Sequence, residues 1–339
     1  MRKYLLPQTG KFYKANLHSH STVSDGILSP EEMKKLYVEH GYSVIAYTDH
    51  NVLIDHSDLN DENFLALNGM ELQTSEEKEK KPYFKTCHIC FIALDPDNLT
   101  QFCYHREKYI VGNAKNYRHL IKFDENEPDY ERVYTPECVT EMMTKGRESG
   151  FFVTYNHPCW SMENYNDYSN YHGMHAMEIC NWGSTKNGFP DYCPQVYDEL
   201  LRCGKKIYCL GTDDNHNHHP INSYKNGSFG AFTMIKAEKL DYKCITNALV
   251  AGDIYASQGP EIYDLWYEDG KIHISCSTAK KIFINTGRRR CDVFGAFDNG
   301  DVNEAEFDVF PEDIYVRLTV RDENGNYANT RAYFVEDLI

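Results

Sequence analysis

Histidine and carboxylate residues recur where apolar runs of this sequence end. The first such run ends in Asn-Leu-His-Ser-His, which places His18 and His20 two positions apart. Because alternate residues of a strand face the same side, both imidazoles can reach one metal ion. Asp25 follows in the next loop. An H-x-H pair by itself is a weak indication, since surface and packed histidines often produce it.

Later apolar runs are bounded by similar groups. These groups are the pair Asp49 and His50, then Glu71, His88, His157, and the pair Asp214 and His216. All of them follow a run except His88, which stands at the start of one. Imidazole nitrogens and carboxylate oxygens are the usual ligands of zinc, iron and manganese. A potential ligand beside nearly every predicted strand is hard to explain by chance, so the sequence predicts a metal site.

The segments that must hold these residues alternate between strand-like and helix-like patterns. Seven strands are predicted, at residues 15–17, 44–47, 64–67, 89–94, 151–155, 176–179 and 207–210. Ser29 with Glu32 marks the start of one helix, and Thr135 with Pro136 marks another. This pattern predicts an α/β fold, a distorted TIM-like (β/α)7 barrel one unit short of the regular eight. In such barrels, reactive side chains gather at the carboxyl ends of the strands.

The order of the ligand motifs resembles the PHP (polymerase and histidinol phosphatase) superfamily of metal-dependent phosphoesterases. The motifs are H-x-H at 18–20, Asp25, T-D-H at 48–50, G-x-E at 69–71, His88, N-H-P at 156–158 and D-x-H at 214–216. Asp213, the segment 178–181 and the β-rich tail are similar to the subgroup that includes carbaryl hydrolase. Some relatives have His where Asp25 stands, and a carboxylate there favours manganese or iron.

The resemblance implies two to three divalent metal ions, zinc, iron or manganese, in a trinuclear site. The implied ligands are His18, His20, Glu71 and Asp214 for one metal, Glu71 as a bridge to a second metal on His88 and His157, and Asp25, His50 and His216 for a third. Such metals lower the pKa of bound water and neutralise phosphoryl oxygens. Proton transfer is assigned to Asp25, or to Asp49 with His50, because spacing does not choose among them.

Substrate contacts are predicted from cations and amides near these strand ends. Arg106 and Arg118 lie in residues 95–134, a long segment with little periodicity that we interpret as a lid. Their guanidinium groups could clamp a phosphate, or they could belong to a solvated loop face. Asn181 follows the sixth predicted strand and is the third candidate.

The helical pattern stops at Gly259-Pro260, after which short strands alternate with turn signals. The chain is therefore predicted to divide into a catalytic domain at 1–258 and a small antiparallel β-sandwich at 259–339. Two roles for this tail stay open. It could support the barrel, or it could bind a sugar or another chain through aromatic residues such as Trp266 and Tyr267.

Charge and composition limit the partners. In 339 residues, 35 Lys and Arg stand against 51 Asp and Glu, so the net charge of −16 disfavours duplex nucleic acid. There is no apolar stretch of membrane-spanning length and no signal-peptide pattern. The twelve scattered cysteines suit a reducing cytoplasm. The sequence does not indicate an oligomeric state.

These observations predict a phosphoesterase that acts on a small phosphorylated metabolite, a nucleotide or an oligonucleotide end through metal-activated water. Hydrolysis of a carboxylic or carbamate ester is the nearest alternative, because the same activated water attacks carbonyl carbons. A non-catalytic metal-binding scaffold is the third possibility, since a fold does not guarantee an activity.

Overall fold

The computed structural model describes residues 2–77, 84–190, 192–296, 298 and 300–339. The helices are α1 (Pro30–Glu39), α2 (Pro136–Glu148), α3 (Tyr165–Tyr168), α4 (Trp182–Lys186), α5 (Pro194–Arg202) and α6 (Tyr242–Ala251). The first ten strands are β1 (Lys3–Tyr4), β2 (Lys11–Asn16), β3 (Val44–Tyr47), β4 (Leu65–Ser75), β5 (Thr86–Ala93), β6 (Phe151–Tyr155), β7 (Ala176–Asn181), β8 (Tyr208–Thr212), β9 (Phe232–Ala237) and β10 (Ile254–Ser257). The others are β11 (Ile262–Glu268), β12 (Lys271–Ala279), β13 (Lys281–Thr286), β14 (Cys291–Phe294), β15 (Val302–Asp308), β16 (Tyr315–Arg321), β17 (Tyr327–Thr330) and β18 (Tyr333–Phe334).

A sheet of 14 strands runs through most of the molecule. Its order is β14-β13-β16-β17-β10-β9-β2-β3-β4-β5-β6-β7-β8, with β18 paired to β16. Strands β2, β3 and β4 are parallel to one another, as are β6, β7 and β8. The predicted mixed α/β class with a β-rich C-terminal part is therefore confirmed.

The predicted alternation of strands and helices is wrong at β4 and β5. Strand β4 continues through Glu71, and β5 pairs antiparallel with both β4 and β6. A hairpin therefore stands where a parallel arrangement would need a crossover helix. The hairpin also explains His88, which lies on the returning strand opposite Gln73 and so comes close to Glu71.

Strand pairing among the described residues does not close into a ring, because β8 ends the order of the sheet. An isolated bridge between Ser19 and Asn215 joins the segment after β8 to the segment after β2. The hydroxyl of Thr233 in β9 donates to the carbonyl of Gly211 in β8 at 2.9 Å. These local contacts replace the continuous hydrogen bonding that a closed barrel requires.

The helix boundaries follow the capping residues. The Ser29 hydroxyl accepts from the backbone N–H of Glu32 at 3.2 Å, and the Glu32 carboxylate accepts from the backbone N–H of Ser29 at 2.8 Å. At the start of α2, the Thr135 hydroxyl accepts from the backbone N–H of Cys138 at 3.2 Å. Gly252 ends α6 with φ 74°, the left-handed conformation that glycine adopts without strain. None of the helices in the described parts of the chain has the length and apolar character needed to cross a bilayer.

Strands β1, β11, β12 and β15 form a second sheet. It shares an apolar core with β13 and β16 of the large sheet, to which Leu265, Ile274, Ile284 and Leu318 contribute. The C-terminal part is thus two antiparallel layers, but one layer is continuous with the large sheet because β17 pairs with β10. The division at residue 258 stays a prediction.

Candidate metal centre

The nine predicted ligands converge on one cluster. Among the described residues, five groups have candidate ligand atoms within 4.8 Å of one another: His18 with His20 and Asp214; His50 with Glu71 and His88; His20 with Asp25, His50 and His216; His18 with His157 and Glu178; and His18 with Glu71 and Cys90. The structure thus brings together residues from several strand ends and from the β4–β5 hairpin. Their binding of metal stays a prediction.

His18 and His20 face each other at the base of the cluster. Their Nε2 atoms are 3.1 Å apart, and Oδ1 of Asp214 lies 3.3 Å from the first and 3.1 Å from the second. A tetrahedral zinc ion with ligands at about 2.0–2.1 Å would separate neighbouring ligand atoms by roughly 3.3 Å. The observed spacing therefore fits ligands of one small cation.

Glu71 is buried at the centre of the cluster. Its Oε1 lies 3.1 Å from Nδ1 of His88 and 3.4 Å from Nε2 of His157. Its Oε2 lies 2.9 Å from Nδ1 of His50. Burial disfavours the ionised carboxylate, but the surrounding imidazoles, His88 and His18 foremost, outweigh it and hold the pKa of Glu71 well below its usual range. The two oxygens face different imidazoles, as a bridging carboxylate requires.

Asp25 forms the solvent-facing side of the cluster. Its carboxylate oxygens lie 3.5 Å from Nε2 of His216, 3.6 Å from Nε2 of His50 and 3.8 Å from Nδ1 of His20. The side chain is about half exposed, unlike the other carboxylates of the cluster. Asp25 can therefore contact both a third cation and a bound ligand.

Unpartnered atoms provide a test of fit for the implied metals. In the described parts of the chain, Nδ1 of His20, Nδ1 of His50 and Oε2 of Glu71 are buried without a hydrogen-bond partner. The last two atoms are only 2.9 Å apart. Such orphaned buried groups cost about 1–3 kcal/mol each unless a partner satisfies them. Imidazole and carboxylate donors in this arrangement fit zinc, iron or manganese.

Glu178, the third residue of β7, forms hydrogen bonds with two of the predicted ligands. Its Oε1 accepts from Nδ1 of His18 at 2.6 Å, and its Oε2 accepts from the backbone N–H of His157 at 2.8 Å. Thr212 and Asn181 donate to the same carboxylate at 2.7 and 2.9 Å. A carboxylate only accepts, so Nδ1 of His18 carries the proton and Nε2 is left to face the cluster.

The sequence-based interpretation gave Glu178 no role of its own and included it only in a segment that resembles a subgroup. In the predicted strand at residues 176–179 it is the second-last residue, so it stands near the end of an apolar run as most of the predicted ligands do. Attention to every carboxylate at such an end would have found it.

Two of the predicted ligands have a backbone conformation that is rare outside glycine. His157 has φ 27° and Asp214 has φ 49°. Such residues cost about 1–3 kcal/mol each and persist where surrounding contacts hold them. The backbone N–H of His157 donates to Glu178, and that of Asp214 donates to the carbonyl of His18 at 3.0 Å.

Asp49 and Asn181, predicted as catalytic and substrate-binding, lie behind the ligands and not on the cavity wall. The Asp49 carboxylate accepts from the backbone N–H groups of Ser21 and Ser24 at 2.8 and 3.0 Å and from both hydroxyls. It therefore fixes the loop between His20 and Asp25. The Asn181 amide donates to Oδ2 of Asp214 at 3.2 Å as well as to Glu178, an arrangement that orients ligands.

The structure does not bring Arg106 and Arg118 to the cluster. Arg106 donates to the carboxylate of Asp129 at 2.8 Å and to the carbonyl of Glu125 at 2.9 Å. Arg118 donates to the carbonyl of Arg106. Both guanidinium groups thus use donors within residues 95–134, and neither lines the cavity at the cluster.

The segment 95–134 itself is a packed cover over the loops that follow β2 and β3. Its buried Ile110, Ala114 and Ile121 share an apolar cluster with Val23 and Val52. These contacts bury one side of the segment, so it is not a wholly solvated loop.

A cavity of about 330 Å³ opens onto the cluster. Its wall includes seven of the predicted ligands, namely Asp25, His50, Glu71, His88, His157, Asp214 and His216. The rest of the wall is Trp160, Gly183, Ser184, Asn187, Asn217, His218, His219, Lys225 and Gly227. Lys225 was not predicted as a site residue, because the sequence of its loop has no periodicity or motif.

Comparison with known proteins gives one family match. The sequence profile of the PHP domain matches residues 16–207. No curated protein matches the sequence. One similar solved structure is a two-domain protein from Bacteroides vulgatus that contains a predicted PHP-like metal-dependent phosphoesterase. It is 14% identical, the alignment covers 98% of each chain, and the TM-score is 0.44.

Another solved structure is an amidohydrolase from Chromobacterium violaceum with bound sulfate and no metal. It is 17% identical over 60% of this chain and 87% of that one, with a TM-score of 0.37. The finer likeness to the carbaryl hydrolase subgroup stays a prediction. The matched profile spans 192 of the 339 residues, more than half of the sequence. The chain therefore belongs to the PHP domain family.

Proposed function

We propose that this chain is a metal-dependent phosphoesterase that binds two to three zinc, iron or manganese ions and hydrolyses a small phosphorylated metabolite or nucleotide. The observation that carries the proposal is the cluster of nine imidazoles and carboxylates around Glu71, which borders an open cavity. Family membership supports the same conclusion. A cytoplasmic location is part of the proposal, because twelve cysteines scattered through a long sequence suit a reducing compartment.

The bound cations would activate water and neutralise charge on the phosphoryl oxygens. The chain's own residues arrange that site. Glu178 keeps the proton of His18 on Nδ1, and Asn181 orients the carboxylate of Asp214. Asp25 presents its carboxylate to the cavity, where an oxygen can accept or return a proton beside the leaving group.

The size of the cavity favours a small substrate. The cavity at the cluster measures about 330 Å³. This lies near the lower end of the range of about 300–1,000 Å³ for small-molecule sites. A net charge of −16 further disfavours a long polyanion. A metabolite or mononucleotide therefore fits better than an extended nucleic acid.

The test is a panel of phosphate monoesters, phosphate diesters and carboxylic or carbamate esters, assayed with added manganese, zinc or iron. We expect turnover of phosphate esters, loss of turnover with a chelator, and recovery when metal is restored. In Glu71→Gln, metal affinity should fall by more than the roughly 10–100-fold that loss of an orienting residue costs. The matched control is Glu163→Gln, a buried carboxyl outside the cluster.

Two outcomes would contradict the proposal. Turnover of carboxylic or carbamate esters alone would assign the attack to carbonyl carbon, which the same kind of site can perform. Purified protein that holds no metal, and whose melting temperature does not change with a chelator, would indicate a scaffold.

A further inference from the structure

The cavity wall carries a cation that the ligand cluster does not use. Lys225 is the only lysine or arginine among the described residues of the wall. Its side chain is exposed, and its Nζ lies 5.9 Å from the ring centre of Tyr224. No carboxylate in the described parts of the chain lies within ion-pair distance of its Nζ. The ammonium group is therefore available to a ligand.

The loop that carries Lys225 is anchored at its ends. It connects β8 to β9, and the buried carboxylate of Asp213 accepts from the three backbone N–H groups of residues 229–231 at 2.8–3.2 Å. Within the loop, the Asn217 amide donates to the hydroxyl of Ser228 at 3.0 Å. These bonds reduce the conformational freedom that Lys225 would lose when it binds a ligand.

Lys225 shares the cavity wall with the cluster but forms no ion pair with it. Asp25 and Asp214 share the wall with Lys225, yet neither carboxylate is within ion-pair distance of its ammonium group. A phosphoryl group on the cluster would receive its neutralising charge from the bound cations. Lys225 would then contact another part of the bound substrate. An ammonium group without a carboxylate partner offers three donors to an anion.

From this arrangement we propose the substrate class. The substrate is a small phosphate monoester whose leaving group bears a second anionic group, a carboxylate or a second phosphate, and Lys225 binds that second group. The inference rests on the proposed phosphoesterase function for the first phosphate. Among the described residues of the wall, Lys225 is the one ammonium or guanidinium group, beside the neutral donors of Ser184 and Asn187 and the imidazoles of His218 and His219.

The test compares two non-hydrolysable probes that differ in one anionic group. Metal-loaded protein is titrated calorimetrically with 3-phosphonopropionate and with propylphosphonate. We expect the first to bind about tenfold more tightly, the factor that one charge-assisted hydrogen bond supplies. In Lys225→Met this advantage falls below about twofold, whereas Lys225→Arg retains most of it. Propane-1,3-bisphosphonate then shows whether a carboxylate or a second phosphate is preferred.

The matched control is Lys239→Met, which removes an exposed ammonium group outside the cavity. It should keep the full preference for the doubly charged probe. Equal binding of both probes by the wild-type protein, or the same loss in both Met variants, would overturn the inference even if simple phosphate esters are hydrolysed. A preference that depends on Lys225 in a protein without phosphatase activity would support the anion site and reject the proposed reaction.

Discussion

Glu178 contacts His18 through a hydrogen bond of 2.6 Å and receives three more donors. In Glu178→Gln, the amide NH2 would face at least one of these donors. We expect metal affinity to fall by about 10–100-fold, as for other residues that orient a ligand. Chelator competition measures the affinity, and the control is again Glu163→Gln. Equal affinities in the two variants would contradict this role.

Glu163 is a buried carboxyl that the proposed reaction does not use. It accepts from the hydroxyls of Tyr134, Tyr155 and Tyr171 at 2.9, 2.7 and 2.5 Å. Burial raises its pKa from the ordinary 4.5 to about 7. The unfolded chain releases this proton near pH 4.5, while the folded protein keeps it until about pH 7. The unfolded state therefore binds fewer protons in this window, and stability falls as pH rises through it.

The size of this effect is at most about 3.5 kcal/mol, because each unit of difference between the two pKa values, 4.5 and about 7, contributes about 1.4 kcal/mol. We expect the wild-type protein to lose stability relative to Glu163→Gln between pH 5 and pH 8. Urea unfolding at both pH values measures the difference. If the two proteins keep the same difference in unfolding free energy at both pH values, this carboxyl is not neutral in the folded state.

Residue type and position beside apolar runs together predicted the nine residues that the structure brings into the cluster, although Asp25 lies farther along, in a loop. The substrate contacts could not be predicted in the same way. Arg106 is paired with Asp129, 23 residues later, and no local pattern indicates that contact. Lys225 reaches the wall because Asp213 anchors its loop, which is a tertiary property.

At the scale of the elements, the starts of helices were the feature that the sequence predicted best. Capping at Ser29 and Thr135 acts within a few residues, so the starts of α1 and α2 could be located from local sequence. The direction of β5 relative to its neighbours could not be predicted from the local sequence. Both β4 and β5 are almost wholly buried, and a strand buried on both faces has no alternation that distinguishes a parallel neighbour from an antiparallel one.

At the scale of the whole molecule, the C-terminal part is joined to the rest by a buried ion pair. Arg317 of β16 donates to the carboxylate of Asp198 in α5 at 2.6 and 2.8 Å, and the hydroxyl of Tyr315 donates to it at 3.0 Å. In Arg317→Met the Asp198 carboxylate would stay buried without its cation. We expect a loss of about 3–5 kcal/mol in the free energy of unfolding.

Arg321→Met on the same strand is the control, because Arg321 is exposed and should contribute less than about 1 kcal/mol. Urea denaturation measures both variants. If the tail only binds a partner, both substitutions should change the free energy of unfolding by equal, small amounts. A fragment of residues 1–258 that folds and binds its full complement of metal would likewise show that the tail does not support the rest of the molecule. Losses confined to Arg317→Met indicate a tail that supports the catalytic part.

The pairing of β1 with β11 has a consequence for synthesis on the ribosome. Tyr4 lies opposite Trp266, so the second residue of this pair is made 262 positions after the first. At about 5–20 residues per second, translation takes roughly 13 to 50 seconds to cover that distance. During this time β1 lacks β11, its partner in the second sheet. A nascent chain therefore completes that sheet late, after the segments that carry the ligands have already emerged.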